Sequence, residues 1–128
     1  MNKEFIQSTL QGFFDNEKEV LFAYLFGSHA TGHAIAKSDV DIAVYLNPKN
    51  KQDQFEKRLE LIAALTKLLK KEVDVIVLNM ASPFLKHVVF KEGTLVFDRD
   101  ASSRIDFDLK SLNEYFDYKL QWSALGMA

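Results

Sequence analysis

Residues 20–26 read VLFAYLF, seven in a row without a charge, an amide or a glycine. A run with so little polar phase suits a strand covered on both faces. A chain built round it needs a layer on each side, and the flanking sequence supplies them. Residues 3–14 place Phe5, Ile6, Leu10, Phe13 and Phe14 at helical spacing. Residues 51–70 space Phe55, Leu59, Ile62, Leu65 and Leu69 as one apolar stripe. DVDIAVYL (39–46) alternates instead, with Val40, Ile42, Val44 and Leu46 on one side and Asp39, Asp41, Ala43 and Tyr45 on the other. EVDVIVLN (72–79) and TLVFD (94–98) complete the strands. Ser82-Pro83 opens a helix that Gly93 ends, and a last helix runs from about Ser103 towards Ser123. The order α-β-short α-β-α-β-α-β-α predicts an α/β fold, a small mixed or parallel sheet of about four strands flanked by helices, in a single domain spanning 1–128.

Charge and composition narrow the function. A formal net charge of −2 argues against a module that grips nucleic acid through phosphates alone. With no cysteine, disulfides, thiolate metal sites and cysteine nucleophiles are excluded. The opening MNKEFIQSTLQGFF lacks the apolar core of a signal peptide, so a cytoplasmic protein is expected.

The chemistry-bearing residues lie around the second strand. Asp39 and Asp41, two apart, send both carboxylates to one face. Side by side they repel unless a cation lies between them, and a hard divalent ion such as Mg²⁺ takes one or two carboxylates and leaves its other positions to water and phosphate oxygens. Asp74, amid Val73, Val75, Ile76 and Val77, is expected to be a costly central carboxylate that completes a three-aspartate cluster. Gly27-Ser28, between a buried strand and a helical turn, is expected to present backbone amides and a hydroxyl to the outer phosphates of a nucleoside triphosphate. Lys37 could add a point charge there, or be an exposed loop lysine. His29 and His33 are expected on the loop surface, and His87 in solvent or against its own helix.

The stretch GSHATGHAIAKSDVD (27–41) resembles the G-S-x(10)-D-x-D signature of the polymerase-β-like nucleotidyltransferases. The resemblance extends over nearly the whole chain and is nearest to the minimal nucleotidyltransferase (MNT) group, specifically the MntA-type antitoxins that act with a HEPN-family RNase toxin. It implies that Asp39 and Asp41 bind two Mg²⁺ ions, that Asp74 binds the catalytic one and helps deprotonate the attacking hydroxyl, and that Gly27 and Ser28 hold the triphosphate. It further implies transfer of AMP from ATP to a tyrosine of the toxin. Many relatives carry arginines just after Gly-Ser and before the Asp pair; here those stretches read His29-Ala30-Thr31-Gly32 and His33-Ala34-Ile35-Ala36-Lys37. Two alternatives stay open: a small-molecule adenylyltransferase of the antibiotic-modifying kind, and an antitoxin that inhibits by binding alone.

A small catalytic sheet leaves the second wall of an acceptor cleft to be supplied by another protein. The last helix carries two stripes: Leu109, Leu112, Phe116 and Leu120, and, roughly opposite, Tyr115, Tyr118, Trp122 and Leu125. One stripe can cover the core. The other, rich in Tyr and Trp, is a candidate partner face, or the helix is buried on both sides.

Overall fold

The computed structural model describes residues 2–34, 39–47 and 51–126. Its elements are α1 (Lys3–Asp15), β1 (Val20–Phe26), α2 (Ser28–Thr31), β2 (Val40–Leu46), α3 (Lys51–Leu69), β3 (Val73–Val77), a 3₁₀ turn (Leu78–Met80), α4 (Pro83–Glu92), β4 (Thr94–Asp98) and α5 (Ala101–Ala124). The four strands form one sheet in the order β3-β2-β1-β4. β1 runs antiparallel to both neighbours, while β2 and β3 are parallel, so the sheet is mixed. VLFAYLF is an interior strand with a core cluster on each face, the two-sided cover that its composition predicts.

Local chemistry sets the helix starts. Asn2 accepts from the Phe5 amide at 2.8 Å and Ser82 from the Leu85 amide at 3.2 Å, with Pro83 in the first turn. The last helix begins at Ala101, two residues earlier than expected, because Asp100 caps it: Oδ1 accepts from the Ser103 amide and Oδ2 from the Ser103 hydroxyl. The last sheet strand before the 3₁₀ turn is shorter than its alternation predicts, ending at Val77. Beyond it the Asn79 side chain replaces a ladder rung: Oδ1 accepts from the Leu46 amide and Nδ2 donates to the Leu46 carbonyl, both at 2.9 Å.

The sheet divides the core in two. On one face Ile6, Leu10 and Phe14 of α1 and Leu61, Leu65 and Leu69 of α3 meet Val40, Ile42, Val44 and Leu46 of β2. On the other, Phe22, Tyr24, Ala43, Leu78 and Val89 form a smaller cluster joined by Tyr45, Phe90 and Phe107, so α4 and α5 cover this face. Two expected stripes are rotated. In α3 the buried residues are Gln54, Leu61, Leu65 and Leu69, while Phe55 and Leu59 are exposed. In α5 only Ser111 is fully buried, and Leu109, Leu112, Phe116 and Leu120 all face outward. The inward phase of α5 is the polar-edged set Arg104, Phe107, Ser111 and Tyr115. Arg104 Nε is fixed to Asp98 Oδ2 at 2.9 Å, and Phe107 lies against Tyr45, with ring centroids 4.6 Å apart. Among the described residues no helix is long and apolar enough to cross a membrane.

Candidate active site

One row of residues crosses three strands: Phe26 at the end of β1 faces Asp41 in β2, which faces Asp74 in β3. Cross-strand partners share a face, and this is the face that α4 and α5 cover. Antiparallel β1 delivers its C-terminal end to the start of β2, so Gly27 and Ser28, the next two residues, arrive beside Asp41. A Cβ at Gly27 would overlap Asp41 Oδ2. Gly27 also has φ 74°, ψ −155°, a conformation open in practice only to glycine. The backbone conformation is the constraint that requires glycine here, and the close approach means that a larger residue would also displace the Asp41 carboxylate.

Ser28 heads the turn α2, whose own bonds run from the Ala30 and Thr31 amides to the Gly27 carbonyl, at 3.1 and 3.2 Å. The Ser28 amide lies outside that bonding, as the first amides of any helix do. The turn is tied down from below by Lys3 of α1, whose ammonium donates to the Ala30 carbonyl at 3.0 Å.

The electrostatics are those of crowded negative charge. Partial burial pushes the Asp41 carboxyl above the ordinary carboxylate range, the charges of Asp74 and then Asp39 push it further the same way, and His29 opposes them. His29 is therefore not a surface residue as expected: only 5% of it is exposed, and it bears electrostatically on Asp41. The turn α2 carries its first imidazole inward, on the side of Asp41. His33 is exposed as expected, with Nδ1 3.0 Å from Thr31 Oγ1. His87 stacks on Tyr115 of α5, rings parallel to within 3° and 3.8 Å apart, so neither solvent nor its own helix is its main contact.

Asp74 departs most from expectation. It is not a buried central carboxylate: β3 is an edge strand, and the Asp74 side chain is 52% exposed. Its charge is met by Arg58 of α3, whose Nη2 donates to Asp74 Oδ1 at 3.0 Å while Nε donates to the Val75 carbonyl at 2.6 Å. Arg58 escapes a search for apolar stripes because it is charged. The spacing Gln54, Arg58, Leu61, Leu65 nonetheless places it on the inward phase of α3, directed at the strand that carries Asp74. Asp39 is exposed and lies one residue before β2 begins. Lys37 lies outside the described residues.

Among the described residues no three acidic or imidazole groups lie close enough together to hold a metal ion as they stand. The donor chemistry still fits a hard divalent cation. Every candidate ligand is a carboxylate oxygen, Asp41 and Asp74 face each other in register, and their repulsion is what a cation relieves. Such a cation takes its remaining ligands from water and substrate phosphates, so a protein cage closed in advance is not required.

The family profile described as polymerase beta, nucleotidyltransferase matches residues 8–102. No curated protein sequence matches the chain. Among solved structures, one chain of a toxin–antitoxin crystal structure with AMP-PNP is 27% identical, with a TM-score of 0.76 over 98% of this chain and 95% of that one. A chain of the toxin–antitoxin MntA–HepT is 26% identical, with a TM-score of 0.69 over 97% of this chain and 92% of that one. A chain from the tri-AMPylated Shewanella oneidensis HEPN toxin in complex with MNT antitoxin has a TM-score of 0.74 at 23% identity, over 96% and 94% of the two chains, and shows the shared fold.

Proposed function

Since this chain belongs to the polymerase beta nucleotidyltransferase family, we propose that it is an antitoxin that transfers AMP from ATP to a tyrosine hydroxyl of a HEPN-type RNase toxin. The observation that carries this reading is the register of Asp41 against Asp74 on one sheet face, with Gly27 pressed against Asp41. Similar chains occur in a toxin–antitoxin structure with AMP-PNP and in a complex with a tri-AMPylated HEPN toxin.

In this reading Asp39, Asp41 and Asp74 would hold Mg²⁺, two ions in all. The metal supplies charge neutralisation of the phosphates and of the oxygens entering and leaving in line. Gly27 and Ser28, with Lys37 adding charge, hold the outer phosphates of ATP. The acceptor hydroxyl oxygen bonds to the α-phosphorus, and the bond from that phosphorus to the oxygen bridging to the β-phosphate breaks. Pyrophosphate leaves, and Asp74 receives the hydroxyl proton at a carboxylate oxygen. The exposed end of α5, with Tyr118 and Trp122, is the face offered to the toxin. Tyr115 is half-buried against His87 and contributes at its margin.

A second reading, neutralisation by binding alone, draws on the Arg58–Asp74 ion pair, which already satisfies one ligand candidate. Incubation with ATP, Mg²⁺ and the HEPN-type toxin, followed by intact-mass measurement, separates the two. Wild type is expected to add AMP masses to the toxin, and Asp41→Asn to lose about 10²- to 10³-fold in rate, the scale of removing a group that stabilises charge in the transition state. An Asp39→Asn, Asp41→Asn protein that protects cells as well as wild type would establish the binding reading instead.

A further inference from the structure

We propose that Arg58 is the positioning residue for Asp74: its guanidinium, anchored on the Val75 carbonyl, holds the Asp74 carboxylate in the orientation from which it faces Asp41. This rests on the three-carboxylate reading above and adds to it a residue that neither the sequence signature nor the acidic cluster contains.

The argument begins with what Asp74 lacks. Its position on an edge strand and its half-exposed side chain leave few neighbours to select a rotamer. A ligand carboxylate left free must be ordered each time metal binds, at the cost of its side-chain entropy. Carboxylates that ligate metals are ordinarily held by hydrogen bonds from a second layer of residues. Arg58 has the geometry for that task. Its inward phase on α3 half-buries it, and Nε and Nη2 make two bonds of different kinds, one to the backbone carbonyl of Val75 and one to Asp74 Oδ1. The first bond is what distinguishes a fixed support from a loose surface ion pair. Val75 is the residue after Asp74 and is itself fully buried in the main core, so the guanidinium is referenced to the same rigid strand whose side chain it orients. An isolated exposed pair would be worth little; a planar fork that bridges backbone and carboxylate sets direction as well as charge.

The test is a double-mutant cycle on Mn²⁺ binding, measured by calorimetry without nucleotide on wild type, Arg58→Met, Asp74→Asn and the double variant. Arg58→Met is expected to weaken Mn²⁺ binding about ten-fold, the scale typical of losing a ligand's supporting partner. The double variant is expected to bind no more weakly than Asp74→Asn alone, because Arg58 acts only through Asp74. In AMP transfer, Arg58→Met is expected to lower kcat and leave KM for ATP within about two-fold, since the proposed role of Asp74 is towards the attacking hydroxyl. Arg58→Lys keeps the charge and most of the stem, which guards against a folding defect, but it cannot span both oxygens in the same plane. It is expected to recover less than half of the lost affinity on a logarithmic scale. Additive losses, tighter Mn²⁺ binding in Arg58→Met, or full recovery by Lys would each overturn the proposal. If Asp74→Asn itself leaves Mn²⁺ binding unchanged, the three-carboxylate reading fails and Arg58 falls with it. If Asp74→Asn weakens binding and Arg58→Met does not, only Arg58 falls.

Discussion

Beneath the sheet, α1 and α3 press Ile6, Leu10, Phe14, Leu61, Leu65 and Leu69 onto the aliphatic phase of β2, and all six are essentially closed to solvent. Above it, α4 and α5 meet a row of rings, Phe22 stacked on Tyr45 at 4.9 Å and Tyr24 against Phe90, and at one end of this face the cover gives way to Asp41 and Asp74. The same strand serves both: even-numbered residues of β2 go down into a dry core and odd-numbered ones go up to aromatic packing and charge. The period-2 alternation of one strand thus gives the lower face wholly to core and divides the upper face between core and the candidate site.

If that division holds, damage below should be felt as stability and damage above as function. The largest expected effect is Leu65→Ala. Leu65 is 0% exposed in the lower core, and its truncation should cost roughly 3 kcal/mol in chemical denaturation. AMP transfer per folded molecule should be unchanged, and a matching fall in kcat would break the comparison. Next comes the end of α5. Tyr118→Ala with Trp122→Ala removes rings that are 38% and 36% exposed, so the isolated protein should lose less than about 1 kcal/mol. Binding of the HEPN-type toxin by calorimetry should weaken about ten-fold or more. Unchanged affinity would move the partner face elsewhere.

The smallest effect concerns Asp41. Its folded-state pKa is raised, so its ionised form is disfavoured in the fold. The stability it contributes is fully present below the unfolded carboxylate pKa and is lost as pH rises through the raised folded value. In EDTA at neutral pH, Asp41→Asn should therefore be more stable than wild type, by at most about 1 kcal/mol once solvent screening at this half-open position is allowed for. The two should converge in acid, below both pKa values. Added Mn²⁺ should stabilise wild type and do little for the variant. Thermal melts across pH, with and without metal, check the sign.

What could be read from the sequence follows the same division. Periodicity, apolar runs and Pro/Gly boundaries located the strands and the longer helices, while the order of elements left the sheet open between mixed and parallel. Strands alone do not say that β1 is flanked by β2 and β4, because pairing is decided by which helices can cover which face. Gly27, Ser28, Asp39 and Asp41 were legible as a spaced group, and their adjacency to Asp74 follows from a register that no local pattern encodes. Arg58 was missed because a charge on an inward helical phase reads as a break in an apolar stripe. The outward Leu109, Leu112, Phe116 and Leu120 were legible as a stripe, but not as an uncovered one. Amphipathicity tells that a helix has two sides and leaves open which side the rest of the chain reaches.

The Asn79 side chain has a consequence for where the upper cover starts. By imitating a peptide unit towards Leu46, with one donor and one acceptor, it lets the main chain quit the sheet while the ladder still closes its final rung. The backbone so released turns at Leu78–Met80 and comes back as Pro83–Glu92 across the face that bears the aspartates. An aspartate there would lack the donor and a leucine both groups, so either would leave the end of β2 ajar. A counterfeit amide bond thus fixes, from its far corner, where the roof over this face of the sheet begins.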